Sequence, residues 1–172
     1  MVSKEYSKAL YELADKNNII DEINENLKSF ILLLNENPDF IKVLTYPKIS
    51  NQDKKKTIKD TLLNFNDLFI TFLYVLIDNN RINEIKDIAS DYQRMVNESN
   101  GIYDVLVYSA SKLDESQIEA TKLSLIKLLN AKSININNMV DESLIGGIKA
   151  FYDGKTFDLS INNKLNSLKN SL

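Results

Sequence analysis

Apolar residues recur at three- and four-residue spacing along the first hundred positions, and this period predicts a run of short amphipathic helices. Ser3 stands where it can cap a first helix, whose stripe is Tyr6, Ala9, Leu10, Leu13 and Ala14. Asn17-Asn18 interrupts that stripe. A second helix follows with Ile20, Ile23, Leu27, Phe30, Ile31 and Leu34 on one face. Asn37-Pro38 opens a third, because proline fits the first helical turn; it carries Phe40, Ile41, Val43 and Leu44 and must stop before Pro47. Ser50 with Asp53 resembles a capping box in which Asp replaces the longer Glu or Gln. The helix it opens holds Lys54-Lys55-Lys56, Ile58, Leu62 and Leu63. From Asn66 to Asn80 the chain is apolar nearly all round, which suits a helix central to the core or one that shares a face with a partner. A sixth helix runs from Arg81 to about Asn97, with Ile82, Ile85, Ile88, Ala89, Tyr92, Met95 and Val96 as its stripe. The expectation for residues 1–100 is a six-helix bundle.

After Gly101 the period changes to two. Tyr103 to Ala110 is rich in β-branched and aromatic residues and predicts a strand. Asp114 then caps a helix to about Leu129, with Ile118, Leu123, Leu125, Ile126 and Leu129 as candidate core. Ile134 to Val140 alternates again, and Ile148 to Tyr152 is a third strand. Asp153-Gly154 is a two-residue hairpin signal, and Lys155 to Leu159 completes the hairpin. Ser160 can cap a last helix carrying Ile161, Leu165 and Leu168. The fold class is therefore mainly α: a six-helix bundle over residues 1–100 followed by a small α+β domain over residues 101–172.

Composition removes several kinds of chemistry. The chain of 172 residues has no cysteine and no histidine, so disulfides, thiolate metal sites and the usual neutral-pH general base are absent from its repertoire. Residues 1–100 hold 13 Lys+Arg against 16 Asp+Glu, and residues 101–172 hold eight of each. Neither part has the positive excess that contact with a phosphate backbone requires, so no nucleic-acid partner is expected. Met1-Val2-Ser3-Lys4-Glu5 lacks the apolar segment of a signal peptide, and with the missing cysteines it points to an intracellular setting. The apolar stretch Leu68 to Ile77 is too short for a bilayer, which takes about 20 residues. Any membrane association would run through a partner.

The four glycines all follow residue 100, and two of them are adjacent in Val140-Asp141-Glu142-Ser143-Leu144-Ile145-Gly146-Gly147. That segment is no phosphate cradle: a Walker loop ends in Lys-Ser/Thr before a helix, whereas here a strand pattern follows. The glycines read as a break or bulge between strands. Asp141, Glu142 and Asp153 lie on predicted turns, without the further ligands that a metal or an acid/base pair would recruit. No cofactor is expected. Lys54–Lys56 reads as a solvated helix face, and the surplus apolar surface on the first and fifth helices reads, from the stripes alone, as ordinary core.

Four motifs in order point to a family. Tyr6-Ser7-Lys8-Ala9-Leu10-Tyr11-Glu12-Leu13-Ala14 is followed by Asn79-Asn80-Arg81-Ile82, by Val107-Tyr108-Ser109-Ala110-Ser111-Lys112-Leu113, and by Val140 to Gly147. Together they resemble the delta subunit of bacterial rotary ATP synthases, a relative of the mitochondrial oligomycin-sensitivity-conferring protein. The resemblance spans essentially the whole chain. Two positions depart from the family pattern: Ser7, where alanine is usual, and Asn80, where glycine is common. The resemblance implies a non-catalytic stator subunit on the cytoplasmic face of the membrane, joining the catalytic head to the peripheral stalk. Its helical domain would hold the amphipathic N-terminal helix of the alpha subunit in a groove between the first and fifth helices. The contacts implied are Tyr6, Ala9, Leu10 and Leu13 on one side and Val75, Leu76 and Asn79 on the other. The last seventy residues would hold the C-terminal region of the b subunits.

Two other readings start from the residues alone. One is a free-standing helical adaptor for a different amphipathic peptide. The other is an enzyme that uses the carboxylates around Asp141 and Asp153, which would require raised carboxyl pKa values.

Overall fold

Prolines and asparagines set the helix boundaries in the first part of the chain. In the computed structural model, which describes residues 2–144 and 146–159, α1 spans Val2–Lys16 and α2 spans Ile20–Glu36. Asn18 lies between them with φ +56°, a left-handed conformation that asparagine tolerates better than most residues. Helix α3 (Pro38–Thr45) begins on Pro38 and ends before Pro47. Helix α4 (Asn51–Thr61) is capped by Ser50, whose Oγ accepts from the Asp53 amide at 3.1 Å. The Asp53 carboxylate accepts from the Ser50 hydroxyl at 2.6 Å, so this is not the reciprocal backbone box that the spacing suggests. Helix α5 (Asp67–Asp78) is capped by Asn66, and a single 3-10 turn at Ile82–Glu84 leads into α6 (Ile85–Ser99).

Beyond α6 the order is β1 (Ile102–Ser109), α7 (Glu115–Leu129), β2 (Ser133–Val140), β3 (Ile148–Tyr152) and β4 (Lys155–Asp158). The molecule is mainly helical with a four-stranded mixed sheet toward the C-terminus, and it divides into two compact units, Met1–Val96 and Asn97–Leu172. The last predicted helix, from Ser160 through Ile161, Leu165 and Leu168, lies outside the described residues.

In the first unit the predicted stripes converge on one core. Leu10, Ile23, Phe30, Ile58, Phe69, Leu73, Leu76 and Ile88 are all fully buried. Phe30 stands edge-on to both Phe40 and Phe69, at centroid separations of 6.3 and 5.9 Å. Withdrawing each such side chain from water contributes about 1.5–3 kcal/mol. Tyr92 is the largest fully buried side chain, and its hydroxyl donates to the Ile20 carbonyl at 3.1 Å. Burial pushes the Tyr92 hydroxyl pKa well up. Ser7 is fully buried, and its hydroxyl is satisfied by the Lys4 carbonyl at 3.1 Å.

Several local expectations give way to tertiary context. Ser3 sits inside α1 and donates to the Asp91 carboxylate at 3.1 Å instead of capping the helix. Helix α4 ends at Thr61; Leu62 is buried just past its end, while Leu63 is 80% exposed. On α7, Leu123 faces solvent and Thr121 with Leu125 faces the core, because the sheet beneath sets the buried side. The lysine run is not one solvated face: Lys54 is buried, and Lys55 pairs with Asp78.

The second unit is built on a βαβ crossover. Strands β1 and β2 pair in parallel through α7, which starts from a full capping box at Asp114 and Gln117. Strand β3 pairs antiparallel on the other side of β1, and β4 pairs antiparallel with β3, so the sheet order is β2-β1-β3-β4. Val105, Val107, Ile134 and Ala150 form the covered face with Leu125 of α7. Because β2 and β3 flank β1 in opposite directions, the chain between them must step across the end of β1. That step is the Asp141–Gly147 segment, whose first amide donates to the Ser109 carbonyl at 2.9 Å. Gly146 and Gly147 take φ +149° and +88°, conformations that a side chain strains. The adjacent glycines thus mark the crossing of a strand end.

Candidate functional site

Helices α1 and α5 meet in the first unit, where Tyr6 of α1 stands edge-on to Phe72 of α5 at 6.4 Å. One turn along α1, Ala9 is exposed, and a further turn on, Leu13 is 48% exposed. Val75 of α5 is 43% exposed, and Asn79 follows it at the helix end. Leu10 and Leu76, in contrast, are fully buried. They form the floor beneath this surface and offer nothing to a partner in this structure. A hydrophobic stripe shows which side of a helix turns inward, but it does not show which of its members lie at the edge.

A cavity of about 520 Å³ opens here, lined by Val2, Glu5, Tyr6, Ala9, Asn79 and Arg81. It brings Tyr6, Ala9 and Asn79 together; Leu13 and Val75 stand outside its lining. Val2, Glu5 and Arg81 were not singled out from the sequence. Helical period would have found the first two, since Val2, Tyr6 and Ala9 share one face of α1 and Glu5 precedes Ala9 by one turn. Arg81 lies within the second motif, and its guanidinium is tied to Glu84 at 2.7 Å.

The turn after α5 gives this end its shape. The Asn79 side chain donates to the Val75 carbonyl at 2.9 Å, which satisfies a carbonyl at the helix end. Asn80 follows in a left-handed conformation, φ +55°, and the Arg81 amide closes the turn on the Leu76 carbonyl at 2.7 Å. After glycine, asparagine is the residue that best accepts that backbone.

The groove's chemistry suits binding. Ala9 is short enough to let another backbone approach, Tyr6 supplies an aromatic wall with a polar tip, and Leu13 and Val75 add apolar rim. Elsewhere, Asp141 accepts from the Ser143 hydroxyl at 2.6 Å and the Ser143 amide at 3.0 Å. These bonds hold its carboxyl below the usual range, opposite to the raised value that an acid/base role would need. No group of three or more potential metal ligands converges among the described residues, and none of the described helices is long and apolar enough to cross a membrane.

Comparison with known proteins agrees along the whole length. The family model for the ATP synthase delta (OSCP) subunit matches residues 2–172. The ATP synthase subunit delta of Lysinibacillus sphaericus (strain C3-41) is 32% identical over 171 residues, covering 99% of this chain and 96% of that protein. The subunit of the same name from Geobacillus sp. (strain WCH70) is 31% identical over 172 residues, covering 100% and 97%. Among solved structures, a chain of the mitochondrial ATP synthase hexamer of Toxoplasma gondii superposes with a TM-score of 0.66 at 16% identity, covering 99% of this chain and 97% of that one. A chain of the Polytomella F-ATP synthase gives 0.52 at 19% identity over 56% of this chain and 88% of its own. At those identities the superpositions speak for the fold alone.

Proposed function

The chain belongs to the ATP synthase delta (OSCP) subunit family, and we propose that within the synthase it is the non-catalytic stator link between catalytic head and peripheral stalk. In this reading the helices of the first unit form a six-helix bundle whose α1–α5 groove holds the amphipathic N-terminal helix of an alpha subunit. The second unit holds the C-terminal region of the b subunits. The protein works on the cytoplasmic face of the membrane and reaches the membrane only through the complex. The task is mechanical: the rotor exerts torque on the head, and the link must keep the head from turning. That calls for a slow off-rate, and apolar burial suits it. Each 100 Å² of apolar surface withdrawn from water contributes about 2.5 kcal/mol before association costs.

The observation that carries this reading is the arrangement on α1 and α5. Leu13 and Val75 are apolar and half exposed on the two helices that also line the Tyr6–Ala9–Asn79 cavity, above a closed floor. A helix laid there would cover apolar surface without opening the core. The test is calorimetric titration of the full chain with a peptide of the alpha subunit's N-terminus. Micromolar or tighter binding is expected. Ala9→Glu places a charge on the exposed wall and should weaken binding at least tenfold with the helical circular dichroism unchanged. Leu10→Glu would be a poor probe, since it charges the core. Absence of binding at micromolar concentration, or full binding by Ala9→Glu, would overturn the reading.

A further inference from the structure

Buried lysines are uncommon, because withdrawing an ammonium from water is costly unless it meets an opposite charge. Lys54 is 4% exposed. Among the described residues it makes no hydrogen bond and no ion pair, although the next lysine, Lys55, is paired with Asp78; no buried side-chain nitrogen lacks a partner there, so the Lys54 stem is buried while its Nζ reaches solvent. Lys54 lines a cavity of about 370 Å³ formed by Leu44 and Thr45 of α3, Ile77 of α5, and Asn80, Ile82 and Asn83 of the turn into α6. Leu44, Ile77 and Ile82 are buried and make apolar walls. The Thr45 hydroxyl already donates to the Ile41 carbonyl at 2.9 Å. The side-chain amides of Asn80 and Asn83 stand at the exposed rim without a hydrogen-bond partner among the described residues. Among the described residues no carboxylate lines the cavity.

One ammonium, two exposed side-chain amides and aliphatic walls line one cavity and form a recognisable donor set. We propose that this cavity binds a carboxylate carried on a short aliphatic stem, with Lys54 supplying the charge, Asn80 and Asn83 supplying hydrogen bonds, and Leu44, Ile77 and Ile82 holding the stem. An inorganic anion would meet the charge but leave the apolar walls unused, and an apolar ligand would leave the ammonium unpaired. The site is separate from the α1–α5 groove. Asn79 and Arg81 turn toward that groove, while Asn80 and Asn83 line this cavity.

The test is amide NMR titration of the full chain with three probes: glutarate, a blocked Ala-Glu-Ala peptide, and inorganic phosphate. Glutarate should give saturable shifts at Thr45, Lys54, Asn80 and Asn83 with Kd at or below about 10 mM. Saturation by glutarate alone assigns a free acid; saturation by the peptide as well assigns an acidic side chain of a partner. Lys54→Gln should weaken glutarate at least tenfold. Asn83→Asp, which supplies a carboxylate at the rim and leaves the core untouched, should do the same. A lysine that merely reaches solvent through the cavity would show no saturation by either carboxylate. That result, equal saturation by phosphate, or unchanged glutarate binding in both variants would overturn the proposal. Because the two cavities share no lining residue, both variants should bind the alpha-subunit peptide normally, so this site and the groove can fail independently.

Discussion

The two units solve the problem of burying a core in different ways. Among the described residues the first contributes nineteen buried hydrophobic side chains to one cluster and the second contributes six, beside which Asn138 ties β2 to the end of β1 by hydrogen bonds. In the first unit, side chains from all its helices interleave around Phe30, Phe69 and Tyr92. In the second, α7 covers one face of the sheet only. On the opposite face Leu106, Tyr108 and Phe151 line an open cavity of about 430 Å³ with Asp141, Leu144 and Lys149. The difference shows where each unit is vulnerable. Close-packed cores suffer from lost volume, and thin cores suffer when a polar tie between strands is cut.

The sharpest way to break that comparison is to remove volume from the first unit. Phe30→Ala deletes a fully buried ring that meets both Phe40 and Phe69, and should cost about 3–5 kcal/mol. Urea unfolding followed by amide signals of both units would read it. A loss confined to residues 1–96 sharpens the contrast; a loss below about 1 kcal/mol would mean that this core collapses around the gap and is looser than its packing implies.

The corresponding cut in the second unit is polar. The Asn138 side chain donates to the Val107 carbonyl at 3.2 Å and to the Ser109 hydroxyl at 2.8 Å, and accepts from the Leu113 amide at 3.0 Å. One side chain on β2 thereby fixes the end of β1 and the loop that leads to α7. Asn138→Ala leaves these groups short of partners and should cost about 1–3 kcal/mol, with faster hydrogen exchange at Leu113. If exchange at Leu113 is unchanged, water replaces the amide without loss and the second unit does not depend on this tie.

The same contrast explains what the sequence could reveal. Helix identities in the first unit follow from stripes such as Ile23, Leu27, Phe30 and Leu34, because a wide core imposes the 3.6-residue period over many turns. Pro38 and Pro47 fix a boundary locally. Depth within a stripe is not local. Leu10 and Leu76 are floor and Leu13 is rim because of what neighbouring helices cover, and Lys54 is buried within a run of three lysines, so the run misleads. In the second unit the strands announce themselves by alternation, but nothing in their spacing says that β1 pairs parallel with β2 and antiparallel with β3. Of the seven positions implied by the resemblance, Tyr6, Ala9 and Asn79 line one cavity, Leu13 and Val75 are exposed outside its lining, and Leu10 and Leu76 are buried. Of the cavity's further lining, helical period reaches Val2 and Glu5, whereas Arg81 needed the structure.

The smallest expected effect tests whether directed bonds matter to the second unit even at its surface. The Asp114 carboxylate accepts from the Ser116 hydroxyl at 2.7 Å and from the Gln117 amide at 2.8 Å, and these bonds hold its pKa below the usual carboxylate value. A group whose pKa is lowered by folding favours the folded state above its unfolded value, and that contribution fades as pH falls through the folded value. The window therefore opens near pH 4 and extends downward. Melting of the α7 region should drift to lower temperature across that window. Asn caps helices about as well as Asp but does not titrate in this range, so Asp114→Asn should keep the cap and flatten the drift. Asp39 of the first unit is also held low, by its bond to Lys42, and serves as the internal control: its acid response should be the same in both proteins. If Asp114→Asn leaves the slope at α7 unchanged, the cap carries no pH-dependent share of stability. The dependence on directed bonds would then be confined to the strand ties around Asn138.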